Sequence, residues 1–308
     1  MRILMTGGAG FIGSHIVEAY LEAGHDVAVV DSLWSHGGGR RDSVPPAARF
    51  YEVDIRSPEL REIVARERPE IVNHHAAQHS VKFSTDDPAY DAQVNVLGMI
   101  NVLEAAQAAG TRKVIFASSA ATYGTVEQLP ADESTPQHPE SPYGITKMVT
   151  EHYLHYWQRE RGLHYTALRY GNVYGPRQDP NGEAGVIAIF AKRFLSGQGI
   201  RIYWDGDQTR DYVYVGDVAR ANLMALEGAD NEIICIGSGV PTSVNQIYRG
   251  LSALTGFEAP IEWQPRRPGD PRDSLFNPAK AAVVLGWRSE VEFGEGLRRT
   301  VEWFRAHS

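Results

Sequence analysis

The chain has 308 residues, of which 43% are apolar, so it is long enough to bury one large core or two smaller ones. Its formal net charge of -8 argues against nucleic acid as the main partner, because phosphate binding needs a concentrated basic surface. No apolar run is long enough for a signal peptide or a membrane span, so we expect a cytoplasmic protein with no membrane partner.

The first element is a short strand followed by a glycine-rich turn and a helix. Residues 1–13 read MRILMTGGAGFIG, and apolar residues recur at helical spacing over 11–23. The glycines fit two registers, Gly8-x-Gly10-x-x-Gly13 and Gly7-x-x-Gly10-x-x-Gly13. Without Cβ atoms they allow a sharp turn and a close approach to a pyrophosphate, and the helix N-terminus adds N–H groups and a favourable dipole. The turn therefore predicts a dinucleotide site.

Asp31 ends the second predicted strand, roughly twenty residues after the glycine turn. A carboxylate at that place accepts hydrogen bonds from the ribose hydroxyls of an adenine dinucleotide. The loop over 35–46 follows, and its Arg40 and Arg41 could instead bind the 2′-phosphate of NADP. Because Asp31 would repel that phosphate, we expect NAD as the cofactor.

Strand and helix patterns alternate through the first half of the chain. Strands are predicted at 49–53, 71–73, 113–117 and 165–168, and helices at 58–67, 90–109 and 143–161. This alternation predicts an α/β fold, a doubly wound parallel sheet of the Rossmann type. The pattern changes after Arg169, so we expect a NAD-binding domain over 1–169 and a smaller α/β substrate-binding domain over 170–308, with some segments crossing between them.

The histidines and the single cysteine do not suggest a metal site. His74 and His75 are adjacent, so on a strand they would point to opposite faces. His79 adds no ligand spacing, and Cys235 lies in an apolar run that reads as a buried strand. We therefore expect no metal.

A second chemical stretch follows the strand predicted at 113–117. Ser118 and Ser119 fall at its C-terminal end, where open α/β sheets bind their ligands. Tyr143 and Lys147 lie four residues apart in a helical pattern, so they share one face, a spacing that also occurs on helices that only pack. A phenol is a weak base at neutral pH, but a nearby ammonium and a positively charged nicotinamide both favour the phenolate. We therefore interpret this pair as a proton acceptor.

Together with the later stretches LRYGNVYGPR and RDYVYV, these motifs resemble the extended short-chain dehydrogenase/reductases, and among them the UDP-glucose (UDP-galactose) 4-epimerases. The resemblance covers essentially the whole chain, with the motifs in the family's order. It implies NAD-dependent 4-epimerisation of a nucleotide sugar, in which a tyrosinate removes a hydroxyl proton and hydride passes to NAD and back. It also implies a homodimer paired through the helices predicted at 90–109 and 143–161. Apolar residues there suit either core or interface: Val94, Leu97, Val102, Leu154 and Trp157.

The resemblance assigns roles residue by residue. Ser119, Tyr143 and Lys147 match the catalytic trio. Positions that match cofactor contacts are Gly7, Gly10, Phe11, Ile12, Gly13, Asp31, Ser32, Asp54, Ile55, Ala76, Ala77, Gln78, Asn95, Ser118, Tyr143, Lys147 and Tyr170. Ser32 departs from the asparagine that many epimerases have there.

The remaining assignments concern the nucleotide sugar. Positions that match substrate contacts are Ser119, Tyr143, Asn172, Val186, Tyr203, Arg210, Arg267, Asp270 and Ser274. Arg210 and Arg267 are expected on the diphosphate, because the planar guanidinium donates two hydrogen bonds at once, with Asp270 on the ribose. Ser274 stands where a bulky tyrosine restricts the sugar pocket of 4-epimerases. Our hypothesis is a roomy pocket that accepts UDP-N-acetylglucosamine as well as UDP-glucose.

Several alternatives stay open. A nucleotide-sugar 4,6-dehydratase would carry an Asp-Glu pair after the active-site serine, where this chain has Ala120 and Ala121. An NADPH-dependent reductase is disfavoured by Asp31. A non-catalytic NAD-responsive binding protein is disfavoured by the intact set Ser119, Tyr143 and Lys147. Uronic acids and dTDP-linked sugars remain possible substrates.

Overall fold

A computed structural model describes residues 1–181, 185–266 and 271–307. The strands in these ranges are β1 (Arg2–Thr6), β2 (Asp26–Asp31), β3 (Arg49–Glu52), β4 (Ile71–His74), β5 (Lys113–Ser119), β6 (His164–Tyr170), β7 (Asn172–Tyr174), β8 (Ile200–Tyr203), β9 (Thr209–Tyr214), β10 (Glu232–Ile236), β11 (Pro241–Ser243) and β12 (Ile261–Gln264). The helices are α1 (Phe11–Glu22), α2 (Glu59–Glu67), α3 (Val81–Asp86), α4 (Pro88–Ala92), α5 (Gly98–Ala108), α6 (Pro142–Arg161), α7 (Val186–Leu195), α8 (Val215–Met224), α9 (Val244–Thr255), α10 (Ala279–Val284) and α11 (Phe293–Ala306).

The larger part of the described chain is a seven-stranded parallel sheet in the order β10-β6-β5-β4-β1-β2-β3. The chain winds outward from β1 through β2 to β3, then returns to β4 on the other side of β1. This reversal leaves a crevice outside the carboxyl ends of β1 and β4, where α/β sheets bind their ligands. The predicted doubly wound parallel sheet is therefore confirmed.

The smaller part contains a three-stranded sheet, β11-β9-β7, and the pair β12-β8. Its apolar core joins α7, α9 and α11, with Phe194, Leu251 and Val301 buried at their contact. The glycines and the proline of the stretch over 170–177 predict a loop, and this prediction is wrong for Asn172–Tyr174, which forms β7 and pairs in parallel with β9. A three-residue strand between glycines has too little local pattern to be recognised before its partner is known.

One strand from the second half of the chain belongs to the large sheet. β10 extends that sheet beyond β6, with Ile234 opposite Leu168, and Ile234 and Ile236 are buried there. The chain thus returns to the first lobe after the expected boundary at 169.

The helix predicted over 90–109 is interrupted. It comprises α4, a π-helical segment at Gln93–Leu97 and then α5. The segment carries Asn95 toward the interior, where it is 4% exposed, while Leu97 is 59% exposed. In the same region Val102, Leu154 and Trp157 are buried in the core and Val94 is half-buried. Single-turn π segments inside α-helices often occur at functional sites.

The glycine turn between β1 and α1 follows the register that begins at Gly7. Gly7 has φ of +72°, and a Cβ on Gly13 would lie 2.1 Å from the carbonyl oxygen of Gly7. Gly8 instead packs against Val29, 2.7 Å from where its Cβ would be. The turn is therefore built from Gly7, Gly10 and Gly13.

Candidate active site

A cavity of about 580 Å³ opens at the carboxyl ends of the central strands, beside the glycine turn. Its wall contains nearly all the positions predicted to contact the cofactor: Gly7, Gly10, Phe11, Ile12, Gly13, Asp31, Ser32, Asp54, Ile55, Ala76, Ala77, Gln78, Ser118, Tyr143, Lys147 and Tyr170. Asn95 lies behind the wall, where its amide hydrogen-bonds the backbone N–H and C=O of Gln78, both at 2.9 Å. Segments distant in sequence thus converge on one crevice.

Asp31 ends β2 at the mouth of this cavity. Its Oδ2 accepts a hydrogen bond from the N–H of Ala9 at 3.0 Å, and its Oδ1 accepts one from Leu33 at 2.9 Å. Burial raises the pKa of the carboxyl, and the two backbone N–H groups oppose that rise. Each oxygen keeps a second lone pair, so the carboxylate can still accept hydrogen bonds from a ribose.

The arginines considered for a 2′-phosphate are engaged elsewhere. Arg40 forms an exposed ion pair with Asp42 at 2.6 Å, and the Arg41 guanidinium lies 4.5 Å from the centroid of the Phe50 ring. Neither side chain belongs to the cavity wall among the described residues. The geometry therefore favours a cofactor without that phosphate.

An aromatic wall that motif reasoning missed borders the same cavity. Its members are Trp34, His36, Phe83 and Tyr90. The Trp34 ring lies 5.4 Å from both Phe83 and Tyr90, centroid to centroid. No local signal marks these residues, because the loop, α3 and α4 that carry them meet only in the folded chain.

The predicted catalytic residues lie together at the inner end of the cavity. Lys147 donates from Nζ to the carbonyl oxygen of Ala117 at 2.8 Å and lies 5.7 Å from the centroid of the Tyr143 ring. Burial raises the pKa of Tyr143 to about 12, although the hydrogen bond from Ser119 acts to lower it. Burial also lowers the pKa of Lys147 to about 8, although the negative charges of Asp91 and Glu151 act to raise it. A positive charge placed in the cavity would favour the Tyr143 phenolate.

A buried ion pair supports the strand end from behind. Arg169 on β6 donates to Glu151 on α6 from Nε at 2.9 Å and from Nη2 at 2.6 Å, and both side chains are nearly fully buried. The hydroxyl of Ser118 donates to Glu151 at 2.6 Å. Arg169 also donates to the hydroxyl of Tyr123 at 2.6 Å. The sequence motifs gave no sign of this pair, because its members lie on a helix and a strand that meet only in the folded chain.

The adjacent histidines have separate partners. His74 Nδ1 lies 2.7 Å from Thr6 Oγ1, and His75 Nε2 lies 3.0 Å from the hydroxyl of Tyr170. Burial lowers the pKa of His74 to about 3 and that of His75 well below its usual value, so both rings are neutral. Among the described residues, no three His, Cys, Asp or Glu side chains are grouped as metal ligands.

Of the described positions predicted to contact the nucleotide sugar, Tyr143 belongs to the wall of this cavity, whereas those of the smaller lobe lie outside it. Asn172 begins β7, Val186 begins α7, Tyr203 ends β8, Arg210 lies on β9 and Ser274 follows in the stretch after 270. Arg210 Nη1 donates to the carbonyl oxygens of Thr209 at 2.8 Å and Arg272 at 3.3 Å. Arg267 and Asp270 lie outside the described residues. The structure thus separates a cofactor-sized cavity from a second set of residues in the smaller lobe.

Comparison with known proteins decides the family. Residues 3–237 match the NAD dependent epimerase/dehydratase family. The chain belongs to this family. Its cofactor is therefore NAD, and the glycine turn and Asp31 fit that group because they leave room for a pyrophosphate and acceptors for a ribose.

Three solved structures superpose closely on the chain. A UDP-glucose 4-epimerase from Thermotoga maritima, determined with UDP-glucose, is 48% identical, with a TM-score of 0.97 over 100% of this chain and 99% of that one. A UDP-glucose 4-epimerase from Thermus thermophilus in complex with NAD is 45% identical, with a TM-score of 0.95 over the full length of both. A UDP-N-acetylglucosamine 4-epimerase from Methanobrevibacter ruminantium is 33% identical, with a TM-score of 0.94 over 100% and 99%.

No helix in the described part of the chain combines the length and the apolar character needed to cross a bilayer.

The glycine turn gives a direct test of the NAD site. Gly7 and Gly24 have similar positive φ, +72° and +79°, but a Cβ on Gly7 would lie 2.5 Å from the Ala76 nitrogen and one on Gly24 would meet nothing within 4 Å. We expect Gly24→Ala to lower the free energy of unfolding by about 1 kcal/mol, because its only cost is a side chain at positive φ. Gly7→Ala should cost more and lose bound NAD, because the Ala76 turn must move. Urea unfolding and the NAD content of purified protein measure both. Equal stability and equal NAD content in the two variants would contradict this account of the turn.

Proposed function

We infer that this chain is a UDP-glucose 4-epimerase, which interconverts UDP-glucose and UDP-galactose with NAD. The observation that carries this proposal is that Tyr143 and Lys147 meet in the wall of the NAD cavity, with Ser119 hydrogen-bonded to Tyr143. It is supported by full-length similarity to UDP-glucose 4-epimerases, including one determined with UDP-glucose.

The residues divide the proton transfer between them. Tyr143 accepts the proton of the sugar 4-hydroxyl as phenolate and later returns it. Lys147, held by the carbonyl of Ala117, stabilises that phenolate through its ammonium, and the Ser119 hydroxyl hydrogen-bonds the phenol oxygen. NAD, held by the glycine turn and Asp31, would supply the acceptor and then the donor of the hydride at C4 of the sugar. The product is the epimer when the ketosugar turns its other face before it is reduced.

The smaller lobe supplies the nucleotide-sugar half of this proposal. We assign binding of the diphosphate and nucleoside to residues carried by β7, α7 and β9, among them Asn172, Val186 and Arg210. Affinity for the nucleotide and diphosphate leaves the hexose free to turn, so that binding energy does not fix the ketosugar in one orientation.

The dehydratase alternative is disfavoured by the residues after Ser119. Ala120 and Ala121 form a short 3₁₀ turn directly beyond β5, so no carboxylate pair stands at the positions where a dehydratase would carry its additional acid and base.

Incubation of purified protein with UDP-galactose and no added NAD tests the proposal. We expect UDP-glucose to accumulate until the two sugars reach equilibrium, as followed by NMR at C4, because NAD is regenerated in every cycle and stays bound. The same panel includes dTDP- and uronic acid-linked sugars. A 4-keto-6-deoxy product would favour the dehydratase, and bound NAD without turnover of any sugar would favour the NAD-responsive binding protein.

We also propose that the sugar pocket accepts N-acetylated hexoses. Ser274 is small and its N–H donates to the carbonyl oxygen of Thr209 at 3.1 Å, so its place is tied to the start of β9. Ser274→Tyr should lower activity on UDP-N-acetylglucosamine at least about tenfold more than on UDP-glucose, by filling the space for the acetyl group. Relative kcat/KM values measure this selectivity, with Ser274→Ala as the matched control that stays small. An unchanged ratio in Ser274→Tyr would contradict the proposal.

We propose a homodimer paired through the region of α5 and α6. Exposed apolar side chains there support it: Leu97 is 59% exposed, Ile145 45% and Tyr156 44%. Exposed large apolar side chains in one region of the surface are typical of a protein interface. Sedimentation equilibrium should give twice the chain mass of 34.1 kDa, and a concentration-independent single-chain mass would contradict the dimer.

A further inference from the structure

Asp91 on α4 is a buried carboxylate behind the cavity wall. Its Oδ1 accepts hydrogen bonds from Gln78 Nε2 at 2.8 Å and Asn95 Nδ2 at 2.9 Å, and its Oδ2 accepts one from Thr146 Oγ1 at 3.0 Å. Burial raises the pKa of Asp91, and the donors from Thr146 and Gln78 oppose that rise. Three donors directed at two oxygens favour the ionised carboxylate.

Each of these donors belongs to the cavity wall or to its immediate support. Gln78 lines the cavity, and Asn95 holds the backbone of Gln78 from behind. Thr146 directly precedes Lys147 on α6. Asp91 therefore connects the turn after β4 to the helix that carries the catalytic pair.

The charge of Asp91 has a different environment from that of the other buried carboxylate near Lys147. Glu151 is neutralised by the two hydrogen bonds from Arg169. The carboxylate of Asp91, within the described residues, hydrogen-bonds neutral side chains alone. Its charge acts on the ammonium of Lys147, which it stabilises against the effect of burial.

We propose that Asp91 is a positioning residue whose negative charge keeps the Lys147 ammonium protonated beside Tyr143. The proposal rests on the proposed function, since it concerns the same proton transfer. Neither Asp91 nor Thr146 belongs to the cavity wall, so Asp91 acts through its neighbours and not by contact with the sugar.

Other charged or titratable groups lie on the elements packed around the catalytic pair. They are His74 and His75 on β4, Glu151 on α6, Arg169 and Tyr170 on β6, and the surface pair Lys82 and Asp86 on α3. The histidines are neutral because burial lowers the pKa of each. Tyr170 is neutral because burial raises its pKa. In each of the two ion pairs, the positive and negative charges offset each other. Among these described groups, Asp91 is thus the charged side chain whose hydrogen bonds come from neutral donors and not from a cation.

The sign of the expected effect follows from this arrangement. A negative neighbour favours the protonated forms of both a phenol and an ammonium, and Asp91 raises the pKa of Tyr143 as well as that of Lys147. Without its charge, both limbs of a bell-shaped kcat profile should move to lower pH by about 0.5 to 1 unit. A purely structural role would lower kcat and leave the limbs in place.

The test is the pH dependence of kcat for UDP-galactose, measured with the NAD-bound protein. Asp91→Asn and Asp91→Ser both remove the charge, and we expect both to shift the two limbs downward. Asp91→Glu keeps the charge and should retain the wild-type limbs. Thr146→Val removes a hydrogen bond and no charge, so it should lower kcat without a shift. Asp86→Asn removes a surface carboxylate and should change neither kcat nor the position of the two limbs.

Two outcomes separate this inference from the proposed function. Unshifted limbs in an active Asp91→Asn or Asp91→Ser variant would overturn the role of Asp91 and leave the epimerase intact. A wild-type protein that turns over no sugar would overturn the proposed function first. A tyrosinate absorbance titration, taken as the difference from Tyr143→Phe, provides a reading without turnover, and its midpoint should fall in Asp91→Asn. An unchanged midpoint would also overturn the inference.

Discussion

Replacement of Tyr143 by phenylalanine should lower kcat by about 10²- to 10⁴-fold, the usual contribution of a positioned acid or base. The variant removes the phenol oxygen and keeps the ring, which lies against Lys147 at the inner end of the cavity. NAD should therefore remain bound at wild-type content. Conversion of UDP-galactose and the NAD content of the purified variant measure the two effects together.

Tyr51→Phe is the matched control for this experiment. Tyr51 lies on β3 and donates its hydroxyl to Glu67, away from the cavity wall. This variant should keep wild-type kcat. Wild-type turnover by Tyr143→Phe would remove the proton acceptor from the proposed mechanism, whereas loss of NAD from that variant would show that the phenol serves mainly to bind the cofactor.

Replacement of Arg169 by methionine should destabilise the protein by about 3–5 kcal/mol, because it leaves the carboxylate of Glu151 buried without its cation. The Arg169 and Glu151 side chains are 4% and 3% exposed, so solvent cannot compensate for the lost partner. The Tyr123 hydroxyl also loses its donor. Urea unfolding at neutral pH measures the change in the free energy of unfolding.

The double variant Arg169→Met with Glu151→Leu separates the unpaired charge from lost packing. We expect it to recover much of the stability lost in Arg169→Met, because replacement of a whole buried ion pair by apolar groups is often nearly neutral. Arg159→Met, at an exposed pair with Glu160, should change stability by less than about 1 kcal/mol. If Arg169→Met were no more destabilising than Arg159→Met, the buried pair would not be a stability determinant.

Local spacing was sufficient to predict much of this protein. The glycine turn and Asp31 lie within one strand-turn-helix-strand unit, and Tyr143 and Lys147 lie one helical turn apart, so their arrangement follows from backbone geometry alone. The alternation of strands and helices likewise predicted the parallel sheet, which the fold confirms. The family and NAD are confirmed by the comparisons.

Contacts between elements distant in the chain were decided only in the tertiary structure. Glu151 and Arg169 each read as an ordinary charged residue, and their pairing exists because α6 packs on β6. Asp91 gave no signal, since its partners come from the turn after β4, the π-helical segment and α6.

The same distinction applies to apolar residues and to strand order. Leu97 and Leu154 fit the same helical pattern, yet Leu97 is 59% exposed and Leu154 1%. β10 returns to the large sheet from the second half of the chain, which its apolar residues permit but do not specify. Sequence by itself determined the local units and the chemistry they carry, because those depend on spacing along the backbone. The tertiary structure decided which units pack together, and with that the buried charges and the exposed apolar surface, because packing selects among partners that the local pattern leaves equivalent.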